Sequence, residues 1–280
     1  MRKYLELTKF EHTLFALPFA LASVVLLYDK APSLWKLFWI VVAFVSARTA
    51  GMALNRLVDL PFDMLNPRTK DWVHARGEVS KEEIKRLILL SSGVFVLSCF
   101  MINLYAFLLS PVVLFLLWLY PYSKRITYYP HLVLGLVYFL VPVGVDIALN
   151  ERVSFNALLL GTGMAFWVAG FDILYALQDY EFDKAHGIKS IPVKFGIEKA
   201  ILFARGFHLV TFACLFLLLF RVEFLGFLYL LGLLAVAGFL YYEHSLIKPR
   251  DLSKLNKAFF TTNAYISVVY FLVVLTDKLF

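Results

Sequence analysis

With 280 residues, of which 61% are apolar and 17% are charged, the chain is far more apolar than a soluble domain of this length needs to be. This composition excludes a soluble globular protein and indicates an integral membrane protein. The net charge of +7 is attributed to membrane topology and to attraction for anionic lipid, and a nucleic-acid partner is excluded.

Nine apolar stretches, each near helix length, follow one another along the chain, which favours a helical bundle over a barrel of short alternating strands. We predict an all-α polytopic membrane bundle of about nine transmembrane helices, with residues 1–280 forming a single domain and with no secretory signal. A capping box at Ser80-Lys-Glu-Glu83 is expected to start the third helix. The predicted spans lie at about 11–28, 36–58, 86–104, 106–121, 130–149, 155–178, 200–220, 223–243 and 257–276.

The distribution of basic residues predicts the orientation of this bundle. If the N-terminus faces the cytoplasm, the cytoplasmic segments hold twenty Lys and Arg residues and the opposite segments hold five. The excess of positive charge on cytoplasmic loops therefore predicts a cytoplasmic N-terminus in the inner (cytoplasmic) membrane. Loops 59–85 and 179–199 are the longest on that side, so an active site facing the cytoplasm is expected at the ends of the second and sixth spans.

The end of the second span carries three oxygen-bearing side chains. Asn55, Asp59 and Asp63 are spaced four apart, which places them on one face of a helix. Acidic groups stacked at the end of a membrane span are costly unless a cation or a charged substrate offsets their repulsion. Pro61 is expected to kink the helix end between the two aspartates.

A second acidic cluster ends the sixth span. Asp172, Asp179 and Asp183 lie near one helical stripe, with Tyr175 and Gln178 beside it. Two acidic clusters on the same predicted membrane face suggest a shared divalent-metal site. Carboxylate oxygens, waters and substrate phosphates are the ligands that Mg²⁺ prefers, which makes Mg²⁺ the expected ion.

Basic residues on the same side complete a site for a diphosphate. Arg68 follows Asp63 closely, Lys124 and Arg125 end the fourth span, and Lys9 opens the first. In an apolar bundle, the simplest diphosphate substrate is one that carries a lipid chain. Alternatives remain open, because either acidic motif alone is more often a solvated cap or an ion-pair partner, and the pair Lys124-Arg125 alone is more often a topology anchor.

Several other polar side chains could have either a functional or a structural role. Arg48 lies seven residues before Asn55, on the same face and two turns deeper, so it requires an anionic partner, either a substrate or a structural ion pair. Isolated His12 and His131 are not expected to bind metal. The two cysteines, Cys99 and Cys214, are expected to be buried thiols.

Four segments occur in chain order, NRLVDLPFD, NPRT, YPYSKR and DILYALQDYEFD, and the last of these is followed by GIKSIPVKFG. In these segments the sequence resembles the intramembrane aromatic prenyltransferases of the UbiA superfamily. The segments FEHTLFALPFA and ARTAGMALNRLVD are similar in sequence to one branch of the superfamily. This branch contains the 4-hydroxybenzoate polyprenyltransferases and their menaquinone (futalosine) pathway counterparts. The resemblance implies Mg²⁺-dependent transfer of a polyprenyl group from its diphosphate to a ring carbon of an aromatic carboxylate, in ubiquinone or menaquinone biosynthesis.

The resemblance also implies roles for individual residues. It implies two Mg²⁺ ions, held by Asn55, Asp59, Asp63, Asp172, Asp179 and Asp183, with Asp59, Asp63, Asp179 and Asp183 as the catalytic carboxylates. The implied diphosphate-binding residues are Arg68, Lys124, Tyr120 and Lys9, and the implied acceptor-binding residues are Arg48, Asn55 and Tyr175. The sequence departs from the family pattern at KDWVHARG after NPRT, and at Leu60-Pro61 between the aspartates.

Two other functions are considered. An ion-coupled transporter is one, because intramembrane carboxylates also mark ion paths. A CDP-alcohol phosphotransferase is the other, but its DG…AR…G…D…D signature is missing from the sequence. The clustering of acidic groups at one membrane face, next to basic loops, favours phosphate chemistry over transport.

Overall fold

The structure is a computed structural model. It describes residues 2–249, 251, 252, 255 and 262–280, and of residues 11, 12, 14 and 15 it describes the backbone alone. The expectation for the His12 side chain, and the first five residues of the ninth predicted span at 257–261, lie outside the described residues.

Within the described residues the chain forms twelve α-helices and one 3₁₀ turn, Leu177–Asp179. The helices are α1 (Arg2–Leu7), α2 (Phe10–Leu27), α3 (Leu34–Asp63), α4 (Lys81–Ile102), α5 (Leu104–Ile126), α6 (Pro130–Asn150), α7 (Phe155–Ala176), α8 (Tyr180–His186), α9 (Ile191–Phe195), α10 (Ile197–Leu218), α11 (Phe227–Leu246) and α12 (Asn263–Leu279).

The predicted all-helical membrane bundle is confirmed. Each of the nine predicted spans overlaps a long helix, namely α2–α7 and α10–α12. Seven helical stretches of the described chain are long and apolar enough to cross a membrane, and the apolar part of α2, Ala16–Leu27, is shorter. The count of about nine helices therefore agrees approximately with the structure.

The second long helix, α3, extends beyond the predicted membrane span at 36–58. It continues through Pro61 as far as Asp63, and the amide of Met64 still donates a hydrogen bond to the carbonyl of Leu60 at 3.1 Å. Proline is tolerated within membrane helices because neighbouring groups compensate for the missing hydrogen bond. As a result, the whole first acidic motif lies on one continuous helix.

The second acidic motif is not on one continuous helix. The α-helix α7 ends at Ala176, the chain tightens into the 3₁₀ turn Leu177–Asp179, and α8 begins at Tyr180. The predicted single stripe is therefore broken at Asp179. A 3₁₀ turn has three residues per turn instead of 3.6, so the break changes the direction in which Asp179 points relative to Asp172.

The chain between the first acidic motif and α4 is anchored where it enters α4. The Ser80 hydroxyl accepts a hydrogen bond from the Glu83 amide at 3.2 Å, and the Ser80 amide donates one to the Glu83 carboxylate at 2.9 Å, which confirms the predicted capping box. The Glu83 carboxylate also accepts hydrogen bonds from Lys3 and Tyr4 of α1, each at 2.8 Å. These contacts fix α1 and Ser80 against the start of α4.

Helix packing brings the two acidic motifs to the same end of the bundle. The helix α3 packs along α4, whereas α7 lies between α6 and α10, and α2 packs against α12. A core of aromatic rings joins α2, α7 and α12, in which Phe19 stacks on Trp167 and on Tyr270 with ring centroids 5.3 and 4.9 Å apart.

Candidate active site

A cavity of ≈ 410 Å³ opens where α3 and α7 end. Of the twelve site residues predicted from the sequence, eleven line it. They are Arg48, Asn55, Asp59, Asp63, Arg68, Tyr120, Lys124, Asp172, Tyr175, Asp179 and Asp183. The predicted convergence of two acidic motifs and basic residues from distant parts of the chain is therefore present in the fold.

The first acidic motif is paired with the end of α5. The Lys124 ammonium donates to Asp59 Oδ2 at 2.6 Å, and the Asn55 amide donates to the same oxygen at 3.1 Å. The Lys124 ammonium also lies 5.4 Å from the centre of the Tyr120 ring, one helical turn earlier. Lys124 is therefore more than a topology anchor, because its charge is directed into the cavity.

The second acidic motif is paired with the segment that follows α3. The Arg68 guanidinium donates hydrogen bonds to both oxygens of the Asp179 carboxylate, with Nε 2.8 Å from Oδ1. Its Nη1 also donates to the Tyr175 hydroxyl at 2.9 Å. The Asn66 amide donates to Asp179 Oδ1 at 2.8 Å. A two-pronged guanidinium–carboxylate contact fixes direction as well as charge, so residues 66–68 hold the second motif in place against the first.

The environment of Arg68 keeps it charged. Burial lowers the pKa of its guanidinium, but the hydrogen bonds and charge of Asp179, together with Tyr175, raise that pKa above its ordinary value. A positive charge therefore stands beside the carboxylates that line the cavity.

Two histidines partner the remaining acidic groups. His74 Nε2 lies 2.8 Å from Asp63 Oδ2, and His131 Nδ1 lies 2.7 Å from Asp172 Oδ2. Both imidazoles are buried. Thus four aspartates of the two motifs each contact a basic side chain, whereas Asp183 makes no side-chain ion pair among the described residues.

Arg48 lies deeper in the same cavity. Its Nη1 donates to the Tyr138 hydroxyl at 2.6 Å, and no carboxylate in the described chain pairs with it. Its Nε is buried without a hydrogen-bond partner among those residues. The structural ion pair considered from sequence is therefore not formed, and a cationic group faces the cavity with hydrogen-bonding capacity to spare.

The sequence predictions missed four polar contributors, Asn66, Trp72, His74 and His131. The Trp72 ring packs against three cations, with the charged groups of Arg56, Arg68 and Lys9 at 4.2, 5.2 and 5.3 Å from its centre. Through this ring Lys9 approaches the site without lining the cavity. Trp72 and His74 both lie in KDWVHARG, where the sequence departs from the family pattern. That departure was the signal that could have pointed to these two residues.

The donor set suits a hard divalent cation. It consists of carboxylate and amide oxygens, which match the ligands of Mg²⁺. In the part of the chain that the structure describes, no three His, Cys, Asp or Glu side chains are gathered around one point. The acidic groups instead line a shared cavity, in which substrate phosphates and waters would complete the coordination.

Comparison with known proteins identifies the family. The sequence pattern of the UbiA prenyltransferase family matches residues 16–267. The chain belongs to this family. Curated UbiA relatives include the 4-hydroxybenzoate octaprenyltransferase of Hahella chejuensis, 32% identical over 253 residues that make up 90% of this chain and 83% of the relative. The enzyme of the same name from Francisella tularensis subsp. mediasiatica is 31% identical, over 90% of this chain and 88% of the relative.

Solved structures show the same UbiA fold. The apo structure of a UbiA homologue from Aeropyrum pernix K1 superposes with a TM-score of 0.85 and 31% identity, covering 95% of this chain and 98% of that one. A UbiA homologue from Archaeoglobus fulgidus, bound to DMAPP and Mg²⁺, has a TM-score of 0.74 and 20% identity, covering 99% of each chain. At 20% identity, the similarity to the Archaeoglobus fulgidus structure supports the fold alone.

Membership of the UbiA family decides the class of protein. The chain is an integral membrane prenyltransferase, similar to 4-hydroxybenzoate octaprenyltransferases. The prediction of an intramembrane prenyltransferase is confirmed, and it is favoured over a transporter and over a CDP-alcohol phosphotransferase.

Proposed function

We propose that the chain transfers a polyprenyl group from polyprenyl diphosphate to a ring carbon of an aromatic carboxylate, and that it acts as a single domain. The acceptor would be 4-hydroxybenzoate or a futalosine-type benzoate, and the reaction would serve ubiquinone or menaquinone biosynthesis. The relatives named as 4-hydroxybenzoate octaprenyltransferases support the acceptor class.

The observation that carries this proposal is the division of one cavity into two parts. Its polar part holds both acidic motifs with Arg68 and Lys124, whereas its other part is lined by apolar side chains such as Ile40, Phe44 and Phe95. This is the polarity of a polyprenyl diphosphate, which has a negatively charged head and a long hydrocarbon tail.

The polar part would bind the head of that substrate. Asn55, Asp59, Asp63, Asp172, Asp179 and Asp183 are the proposed Mg²⁺ ligands, among which Asp59, Asp63, Asp179 and Asp183 are the proposed catalytic carboxylates. When bound, Mg²⁺ would neutralise the diphosphate as it leaves. Lys124 and Arg68 would bind the diphosphate oxygens, with Tyr120 beside them and Lys9 at a distance.

The acceptor would bind between the polar and apolar parts. Arg48 lies there with a free Nε, and its charge suits the carboxylate of an aromatic acid. Asn55 and Tyr175 line the same cavity and are the other proposed acceptor-binding residues. The rings of Tyr138 and Tyr175 would face the cation-like allylic carbon, and the surrounding apolar side chains would exclude water from it.

We further propose that the polar part of the cavity faces the cytoplasm in the inner membrane. The excess of Lys and Arg on the connecting segments of that side supports this orientation. Water-soluble acceptor and released diphosphate would then enter and leave on the cytoplasmic side, while membrane lipid surrounds the rest of the bundle.

The test is to replace Asp59 or Asp179 with Ala and to measure prenyl transfer in membranes. Each change removes a carboxylate from the cavity, and we expect transfer to fall to background. Glu181 is the matched control, because it is an exposed acid two residues after Asp179 and does not line the cavity. Glu181→Ala is expected to retain transfer.

Near-normal turnover by Asp59→Ala or Asp179→Ala would refute the proposed site. The acceptor class is tested separately by incubating membranes with polyprenyl diphosphate and a panel of aromatic acids, and by identifying the prenylated product by mass spectrometry. Prenylation of an acceptor without a carboxylate, at the same rate, would refute the role given to Arg48.

A further inference from the structure

A buried histidine contacts the last carboxylate of the first acidic motif. His74 is 3% exposed, and its Nε2 lies 2.8 Å from Asp63 Oδ2. It belongs to the segment between α3 and α4, in which the sequence departs from the UbiA pattern. Asp63 ends α3 and lines the cavity.

The surroundings of His74 determine which nitrogen carries the proton. Its Nδ1 is buried and has no hydrogen-bond partner among the described residues. A proton on Nδ1 would therefore be a buried donor without an acceptor, which is costly. A proton on Nε2 avoids this cost and lets the ring donate a hydrogen bond to Asp63.

This hydrogen bond fixes the direction of the Asp63 carboxylate. It engages one oxygen, Oδ2, of a side chain that also borders the cavity. Carboxylates that bind metal ions are commonly held in this way by a hydrogen-bonding partner behind them. Among the described residues, His74 is the basic side chain within ion-pair distance of the Asp63 carboxylate.

The same segment offers a natural control. The Thr69 hydroxyl donates to the backbone carbonyl of Asp63 at 3.0 Å, and Thr69 is 1% exposed. Thr69 thus anchors the same segment to the backbone of the same residue, and its hydroxyl influences the Asp63 carboxylate less than His74 does. The contributions of the two side chains to the carboxylate can therefore be compared by mutation.

We propose that His74 is a positioning residue that orients the Asp63 carboxylate toward the divalent cation of prenyl transfer. The inference rests on the metal site proposed above. It assigns a role in metal affinity to a residue of the segment KDWVHARG, in which this chain differs from the family pattern.

The experiment measures Mn²⁺ binding to purified protein in detergent by electron paramagnetic resonance. His74→Phe keeps a ring but removes the donor, and we expect Mn²⁺ affinity to fall about 10- to 100-fold, as is typical when such a partner is lost. His74→Gln keeps an N–H donor at a similar reach and is expected to stay close to the wild type. Thr69→Val is expected to lower the thermal unfolding temperature and to reduce Mn²⁺ affinity much less than His74→Phe does.

Three outcomes would overturn the inference. These are unchanged Mn²⁺ affinity in His74→Phe, equal losses in His74→Gln and His74→Phe, and equal losses in Thr69→Val and His74→Phe. Should His74→Phe not fold, His74→Ala replaces it in the same comparison. Asp59→Ala is measured in parallel to separate the two proposals. If Asp59→Ala loses Mn²⁺ binding and His74→Phe binds Mn²⁺ normally, the role of His74 alone is refuted. If Asp59→Ala also binds Mn²⁺ normally, the proposed metal site is refuted as well.

Discussion

At the scale of single residues, the site is a set of acid–base pairs. Lys124 lies against Asp59 and Arg68 against Asp179, so the groups proposed to bind the diphosphate contact the groups proposed to bind metal. Because buried charges are costly unless paired, these contacts stabilise the site within the bundle. They also mean that either ligand alone would have to separate a pair of opposite charges.

We therefore expect metal and diphosphate to bind cooperatively. A divalent cation at Asp59 and Asp179 would release Lys124 and Arg68, and inorganic diphosphate would give those cations a new partner. The affinity for Mn²⁺ should rise about tenfold or more in the presence of diphosphate, which is within the usual range of coupling between sites. Titration of Mn²⁺ with and without diphosphate measures this coupling.

The Lys124→Met variant provides the control for that titration. Methionine leaves Asp59 without its cation, so Mn²⁺ alone should bind more tightly and the gain from diphosphate should shrink. Equal Mn²⁺ affinity with and without diphosphate in the wild type would argue against the coupling.

Arg48 gives a second prediction at this scale. Replacing it with Ala should raise the KM for the aromatic acid about 10- to 100-fold, the range expected from losing a charged hydrogen bond of about 1.5–3 kcal/mol. The KM for polyprenyl diphosphate should change little. Steady-state kinetics with each substrate varied in turn would measure both values.

Tyr138→Phe is the matched control for Arg48→Ala. It removes the hydroxyl that Arg48 contacts at 2.6 Å and keeps the ring and the guanidinium. We expect a smaller effect on the acceptor KM than in Arg48→Ala. Equal increases in both KM values in Arg48→Ala would instead indicate a structural role for the arginine.

At the scale of elements, close helix contacts place the functional side chains. The helix α6 carries His131 and the helix α7 carries Asp172, and the two helices meet at Gly135 and Gly161. A Cβ atom at Gly135 would lie 2.8 Å from the Ala165 carbonyl oxygen, and one at Gly161 would lie 2.8 Å from the Phe139 carbonyl oxygen. Backbone atoms cannot move aside as a flexible side chain can, so glycine is required at both positions.

We expect Gly135→Ala and Gly161→Ala each to destabilise the protein by about 1–3 kcal/mol, the usual cost of overpacking. Thermal unfolding in detergent, followed by circular dichroism, would measure the loss. Gly93→Ala is the control, because nothing lies within 4 Å of a Cβ atom there and alanine favours a helix. An equal fall in unfolding temperature for Gly93→Ala would contradict the packing argument.

Some structural elements were predicted from the sequence more completely than others. The spacing of Asn55, Asp59 and Asp63 predicted a shared face because the helical period is fixed, and α3 has that period throughout. The turn at Leu177–Asp179 was not predicted, because no proline or glycine marks it. Local sequence signals therefore identified the helices but not the break within the second motif.

The partners of the acidic groups were only partly predictable. Arg68 and Asp179 are separated by 111 residues, and such pairs depend on how the helices pack. The basic residues were predicted as diphosphate ligands because they lie on the same predicted membrane side as the acidic motifs and because they fall in segments that resemble the family motifs. His74 and His131 have no such motif, and only the packed structure shows that they meet Asp63 and Asp172.

At the scale of the whole molecule, the orientation in the membrane can be tested directly. We expect a cysteine placed at Arg152, between α6 and α7, to react with a membrane-impermeant maleimide added outside intact cells. A cysteine at Lys70, between α3 and α4, should react only after the membrane is opened. The native Cys99 and Cys214 are buried and provide a low background.

The reverse labelling pattern would show that the N-terminus faces outward and would refute the proposed cytoplasmic site. A parent chain with both native cysteines replaced by Ala would serve as the labelling blank. Retained prenyl transfer in the parent and in Arg152→Cys would show that the cysteine changes leave the fold intact.

The cavity is also long. Along α3 it is lined from Asp59 to Ile40, which at the helical rise corresponds to about 28 Å, close to the thickness of the hydrocarbon layer of a bilayer. A prenyl chain lying along this wall would span one leaflet and much of the next while its diphosphate stays in the polar part of the cavity. The two products would then separate by solubility alone, since the diphosphate dissolves in water and the alkylated ring diffuses away within the oily layer in which it was made.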